Sequence, residues 1–246
     1  MRLFTLFSDI MFICCFSTVL YAEDCTKITV YYIERPPYLI SAPNGVEGLT
    51  GNPTEWAFKK AGIPFEWKEL PTARQLKLIQ ANSGCDCLVN YFKTPEREKF
   101  GKYTLPIYQD QPHIAVTRAD NGKLISGGTV DMALSNPDII LEVKKDWSYG
   151  TFLDGKIALN HPKTDETLGD NAQLLKKIHA ERADFFFTTA AEADVLIADS
   201  GFRRQDFKYI TFLDVPMGEK RYLLCSQQVS DEIIERLNAA IPSYRK

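Results

Sequence analysis

Two short stretches carry side chains able to grip a small anion. In "KTPEREKF", residues 93–100, Thr94 is a helix cap, Pro95 suits the first turn, and Arg97 follows with a planar fork that fits a carboxylate through two parallel hydrogen bonds. The ordinary alternative is a solvated helix start with Arg97 paired to Glu96 or Glu98, worth well under about 1 kcal/mol. In "KKDWSYGTF", residues 144–152, Ser148, Tyr149 and Gly150 precede an expected helix and offer hydroxyls and N–H groups. The alternative there is a plain strand-to-helix turn with Trp147 as packing. Tyr38 and Phe92 leave expected strands at the ends where α/β sheets hold ligands, and each is a candidate wall or a core residue. Arg74, early in "PTARQL", is either a second cationic contact or a surface residue.

The elements that must position these residues follow from periodicity. "KITVYYIE" (27–34), "PFEWKEL" (64–70) and "CDCLVNYF" (85–92) read as strands, and "PTEWAFKKAGI" and "TARQLKLIQAN" read as helices between them. Strand and helix alternating through short connections is the pattern of a layered α/β unit with parallel pairing. The pattern then restarts. "HIAVTR" leads out as a strand, "IILEVKKD" opens a second unit, and "DFFFTT" is a buried strand between helices over 168–183 and 190–202. "KYITFLDV" and "RYLLCSQQ" follow as strands, and "SDEIIERLNAAI" closes as a capped amphipathic helix. The expected organisation is a leader over 1–22, a first lobe of 23–116 with 218–246, and a second lobe of 117–217, joined by crossing strands near Val116–Arg118 and Pro216–Lys220.

Composition sets the surroundings. Residues 1–22 place one arginine before an apolar run ending in Ala22, the layout of a secretory signal peptide, with Asp9 interrupting the run that a membrane anchor would need. The net charge of -3 and the scattered basic residues exclude a phosphate-gripping stripe, so no nucleic-acid partner is expected. After the leader, Cys25, Cys85, Cys87 and Cys225 remain; in an oxidising compartment they allow one or two disulfides, with three pairings open. "CDC" lacks the spacing and nearby histidines of a zinc clip, so neither metal nor cofactor is expected. There is no Gly-x-Ser-x-Gly elbow, no His-Glu-x-x-His helix and no phosphate loop.

"PTARQLKLIQANSGCDCLVNYFKTPEREKFGKYTLPIY" resembles the core of the family 3 extracellular solute-binding proteins, the bilobed periplasmic binders of amino-acid and related uptake systems. "ERPPYLI" and "ERADFFFTTAAEADVLI" resemble two further family segments. The resemblance implies a two-lobed periplasmic-binding-protein-like α/β fold (type II) and a small-molecule ligand held between the lobes. It also implies a monomer working with an inner-membrane ABC permease in the periplasm. It gives Arg97 the ligand carboxylate and sets Ser148, Tyr149 and Gly150 across the cleft; Thr94, Phe92, Tyr38, Arg74 and Thr189 complete the candidate site. Two departures narrow the ligand. Phe92 stands where amino-acid binders usually carry a small hydroxyl residue, and Thr189 falls where they carry the acid that receives the ammonium, with Glu192 three residues on. An organic acid or a peptide-like ligand is therefore expected in preference to a standard α-amino acid. Two other readings on the same scaffold are an accessory protein and a dehydratase-like lyase, the latter needing a general acid from Glu34, Asp86, Asp110 or Glu192.

Overall fold

The computed structural model describes residues 25–145, 147–168 and 171–245, so the expected leader at 1–22 lies outside the described residues. The first sheet is built from β1 (Ile28–Tyr32), β4 (Phe65–Glu69) and β5 (Asp86–Phe92), with β6 (Gly101–Tyr103), β7 (Tyr108–Gln109) and the late strand β13 (Lys220–Ser226). A small hairpin, β2 (Ile40–Ala42) with β3 (Gly45–Glu47), stands beside it. Helices α1 (Gly51–Ala61), α2 (Thr72–Ala81) and α8 (Asp231–Ala240) cover the sheet, and α3 (Pro95–Glu98) is one short turn. The order is β4-β1-β5-β13-β6, with β1 parallel to both β4 and β5 and β13 antiparallel to β5.

The second sheet repeats that plan. It contains β8 (Ile114–Arg118), β9 (Ile140–Lys144), β10 (Lys163–Thr167), β11 (Phe185–Thr188) and β12 (Phe207–Ile210), in the order β10-β9-β11-β8-β12. Again three neighbours run parallel, and the fourth, β8, is antiparallel. Helices α4 (Val130–Leu134), α5 (Thr151–Asn160), α6 (Asn171–His179) and α7 (Ala190–Ser200) pack on it. In each sheet the antiparallel fourth strand is the one the chain supplies by passing between lobes: β8 after residues 110–113, and β13 after residues 211–219.

The local sequence explains the elements. Strand period two sends Phe185 and Phe187 into one core with Leu141 and Leu153, and Phe186 into the opposite core with Leu175 and Ile178. A strand covered on both faces must be apolar throughout, which is why "FFF" is tolerated there. Helix α1 stops at Gly62, whose φ of 63° is left-handed and closes the helix through N–H bonds to Lys59 and Phe58 carbonyls. Helix α8 starts at Ser230, whose side chain accepts from the Ile233 amide, and buries Ile233, Ile234, Leu237 and Ala240. Two disulfides, Cys25–Cys85 and Cys87–Cys225, settle the open pairing and lie wholly in the first lobe. Cys87 and Cys225 are opposite each other on β5 and β13, so the bridge ties the returning strand to the sheet centre. Among the described residues no helix is long and apolar enough to cross a membrane.

Candidate functional site

In parallel α/β sheets the loops beyond the carboxyl ends of strands collect ligand contacts, because helix starts and free side chains converge there. Both sheets obey this rule toward one another. The ends of β1, β5, β9 and β11 deliver Arg35, Phe92 and Arg97, Trp147 to Tyr149, and Thr188 with Glu192 to a single cavity of about 900 Å³ measured out to its mouth. Ile33, Leu39, Leu174 and Leu196 supply apolar wall, and Gln75, Asn90 and Asn171 supply amides.

On the first-lobe side, Arg97 is half-buried on the wall. Its Nη1 donates to the Phe92 carbonyl at 2.9 Å, its guanidinium lies 5.2 Å from the Tyr91 ring centre, and the Tyr103 hydroxyl lies against it, so these contacts fix the direction of the fork. Glu98 is engaged by Lys93 at 2.8 Å. Among the described residues no carboxylate reaches ion-pair distance of Arg97, so the solvated pairing with Glu96 or Glu98 is not the arrangement formed. Thr94 caps the turn, its hydroxyl accepting from the Arg97 amide at 3.4 Å, and is not part of the wall. Phe92 does line the cavity. Arg74 is exposed on its helix, away from the wall. Tyr38 is 1% exposed beneath the site, its hydroxyl sharing a hydrogen bond with Thr189 at 2.9 Å. Thr189 in turn caps α7 through the Glu192 amide. Neither Tyr38 nor Thr189 is part of the wall, and each spends its hydroxyl on the protein.

On the second-lobe side the expected donors are likewise spent internally. Ser148 Oγ donates to Asp154 Oδ2 at 2.5 Å and accepts from the Gly150 amide at 3.1 Å, while the Tyr149 amide donates to Asp154 Oδ1 at 2.8 Å. The Thr151 amide donates to Glu219 Oε1 at 2.8 Å, so a carboxylate of the chain already sits on the start of α5. The Tyr149 hydroxyl accepts from the Lys144 amide at 2.8 Å, and burial pushes its pKa up to about 12, keeping it protonated. Ser148 and Tyr149 line the cavity, but Gly150 lines a separate small hollow at the inter-lobe passage with Pro216 and Glu219. With φ at 90° and Glu219 pressed against it, only glycine fits at 150.

Two ion pairs complete the site. Arg35 of the first lobe grips Glu192 of the second through Nε to Oε1 at 2.6 Å and Nη2 to Oε2 at 2.8 Å. Asn171 donates to Oε1 at 2.9 Å and Thr188 to Oε2 at 2.7 Å, so both carboxylate oxygens carry two donors. Burial works to raise the Glu192 carboxyl; the Arg35 charge and hydrogen bonds, with that of Thr188, outweigh it and hold the group below its ordinary value. The second pair, Arg221 Nε to Asp110 Oδ1 at 2.8 Å, is almost solvent-free. Asp110 Oδ2 lies 2.5 Å from Arg221 Nη2 in ionic contact, without hydrogen-bond alignment. Beside it, burial pulls the His113 imidazole down to about 4, so it is neutral near pH 7. Every carboxyl nominated as a general acid is thus engaged or remote. Asp110 and Glu192 are ion-paired, Glu34 takes the Ser41 amide at 2.8 Å, and Asp86 lies off the cavity wall.

Asn90 marks a further point on the wall. It sits mid-strand in β5 with φ at 74°, where the β5–β13 register shifts between Tyr222 and Leu224. Asparagine tolerates that left-handed conformation, and strain of this kind collects at ligand sites. Its buried Oδ1 has no hydrogen-bond partner among the described residues.

No family model matches the chain, and no curated protein matches it in sequence. Solved structures match in fold. An ancestral arginine-binding protein bound to arginine aligns at a TM-score of 0.67 and 14% identity, covering 90% of this chain and 92% of its own. The substrate-binding protein of an amino acid ABC transporter aligns at 0.65 and 14%, covering 87% and 91%. The GluR0 ligand-binding core from Nostoc punctiforme, in complex with L-glutamate, aligns at 0.65 and 16%, covering 88% and 91%. The chain has the two-lobed periplasmic-binding-protein fold. In a fold of this kind the cavity at the strand ends is the cleft between lobes, and the residues that sequence reasoning missed there are instructive. Arg35, Asn90, Trp147, Asn171 and Arg221 all line the cleft. The only sequence cue for Arg35 was its place at the end of the first strand, and the partner that gives it meaning lies 157 residues away.

Proposed function

We propose that this chain is a solute-binding protein that captures a small organic anion between its lobes, with Arg97 holding the carboxylate. The observation that supports this most directly is the charge balance of the cleft. Glu192 balances Arg35 and Asp110 balances Arg221, and Lys144 donates to Asn171 at 2.8 Å over the Trp147 ring. The Arg97 guanidinium faces the cavity with no carboxylate of the described residues within ion-pair distance, Asp154 acting on it only through space. A charged fork on the wall of a half-open cleft of mixed lining gains most from a bidentate carboxylate, a contact worth about 1.5–3 kcal/mol. Phe92, Trp147, Leu174 and Leu196 suit an apolar or aromatic body. Closure would occur about the two passages at 110–113 and 211–219, the ligand adding contacts from the second lobe to those of the first. The fold neighbour that serves an ABC transporter supports the further reading of delivery to an inner-membrane permease; the same reading takes the segment 1–22 as the export signal, the periplasm as the compartment and a monomer as the working form.

The test is a thermal-shift panel of organic acids, amino acids and short peptides on the parent and on Arg97→Ala. A set of carboxylates should raise the melting temperature of the parent, and Arg97→Ala should weaken them by roughly 10- to 100-fold. Equal affinity in both proteins overturns the assignment.

A further inference from the structure

The acid that faces the cleft from the second lobe is already occupied. Glu192 is 2% exposed, and its two oxygens receive four donors, two of them from one guanidinium of the opposite lobe. That guanidinium is itself boxed: the Arg35 carbon lies 4.2 Å from the Trp147 ring centre on the second lobe and 5.0 Å from that of Tyr38 on the first. A planar cation between two aromatic faces and a bidentate carboxylate has nearly all of its recognition satisfied within the chain. An incoming ammonium would find no open acceptor on Glu192, and it would add positive charge beside Arg35 and Arg97 in a low-dielectric cavity. The Tyr38–Thr189 hydrogen bond runs between the same two lobes next to this pair, so the bridge is part of a continuous inter-lobe contact.

We propose that Arg35 fills the Glu192 subsite from within, so that the cleft selects organic anions that bring no ammonium or guanidinium of their own and the two lobes close on this bridge without a ligand. The inference rests on the proposed role of the cleft as a carboxylate site, and it deepens that role by fixing the ligand class. Removing Arg35 exposes an acid and makes the site fit for a zwitterion. Retaining Arg35 and neutralising Glu192 removes the ion pair from the contact between the lobes.

The experiment has two arms that fail separately. Calorimetric titration compares 3-phenylpropanoate with L-phenylalanine and 4-methylpentanoate with L-leucine, pairs that differ only in the ammonium group. The parent should prefer the ammonium-free member by at least about tenfold, and Arg35→Ala should shift that preference by at least about tenfold toward the amino acid. A parent that binds the amino acid as well as its partner overturns the inference while leaving the carboxylate site standing. The second arm needs no ligand. Small-angle scattering of the ligand-free parent should give a smaller radius of gyration than Glu192→Gln, whose circular dichroism reports that it is folded. Identical scattering from the two folded proteins also overturns the inference, whether or not any probe binds. Loss of binding in Arg97→Ala alone bears on the carboxylate site and not on the bridge.

Discussion

Thr94–Arg97 in the first lobe and Ser148–Asp154 in the second both begin a helix at a strand end beside the cleft, and they dispose of their polar groups in opposite ways. In the first lobe the cap hydroxyl takes one backbone amide and the Arg97 fork remains for the cavity. In the second, Asp154 binds both Ser148 and the Tyr149 amide, and Glu219 takes the Thr151 amide. Residue types suited to an anion are therefore not enough; what matters is whether the chain has supplied its own anion. The lobes differ also in how they are held. The first carries both disulfides, whereas the second relies on a phenylalanine-rich strand covered on both faces. A stapled lobe whose helix start presents a cation opposes an unstapled lobe whose helix start at Ser148–Asp154 is closed on itself.

The largest expected effect lies in the staples. Cys87 and Cys225 are 138 residues apart, and on a chain-entropy basis their bridge contributes about 5 kcal/mol. Replacing both by alanine should lower hydrogen-exchange protection in β1, β5 and β13 while β9 and β11 keep theirs. Equal loss in both lobes would erase the distinction between them. Next comes the buried pair under the cleft. Asp110→Ala leaves the Arg221 guanidinium, 2% exposed, without its carboxylate, and should cost about 3–5 kcal/mol in urea unfolding. A cost within about 1 kcal/mol would mean that the pair adds little to the first-lobe side of the site. The smallest effect sharpens the contrast between the two helix starts. Since the Ser148 hydroxyl is already committed to Asp154, Ser148→Ala should change the affinity for a bound carboxylate by less than about threefold, against the much larger loss in Arg97→Ala. A Ser148→Ala loss equal to that of Arg97→Ala would show that the second lobe does offer its turn to the ligand.

Much of the architecture was readable because it is local. The alternation of "KITVYYIE", "PFEWKEL" and "CDCLVNYF" with two helical stretches needs only period-two and period-3.6 patterns, and those segments form β1, β4 and β5 as expected. "KYITFLDV" illustrates the limit: only Phe207–Ile210 pairs as β12, after which the chain turns toward the passage between lobes. The disulfides needed the sheet order, which brings Cys225 beside Cys87 and leaves Cys25 beside Cys85. At the site, the geometry of Arg97 is set within six residues by Phe92, Tyr91 and Thr94, so its sequence neighbourhood carried the signal. The Arg35–Glu192 bridge joins different lobes, and no periodicity or spacing encodes a contact across 157 positions. Tyr38, Thr189 and Gly150 carried suitable chemistry but are turned away from the cleft, since a hydroxyl or amide satisfied by a distant partner looks the same in sequence as a free one.

The most direct measurement is a crystal structure of the protein with whichever carboxylate of the panel binds most tightly. The account predicts the ligand between the lobes, its carboxylate oxygens about 2.7–2.9 Å from the Arg97 guanidinium nitrogens, with Arg35 still on Glu192. A ligand seated elsewhere, or a carboxylate in the cleft that leaves Arg97 untouched, would contradict it.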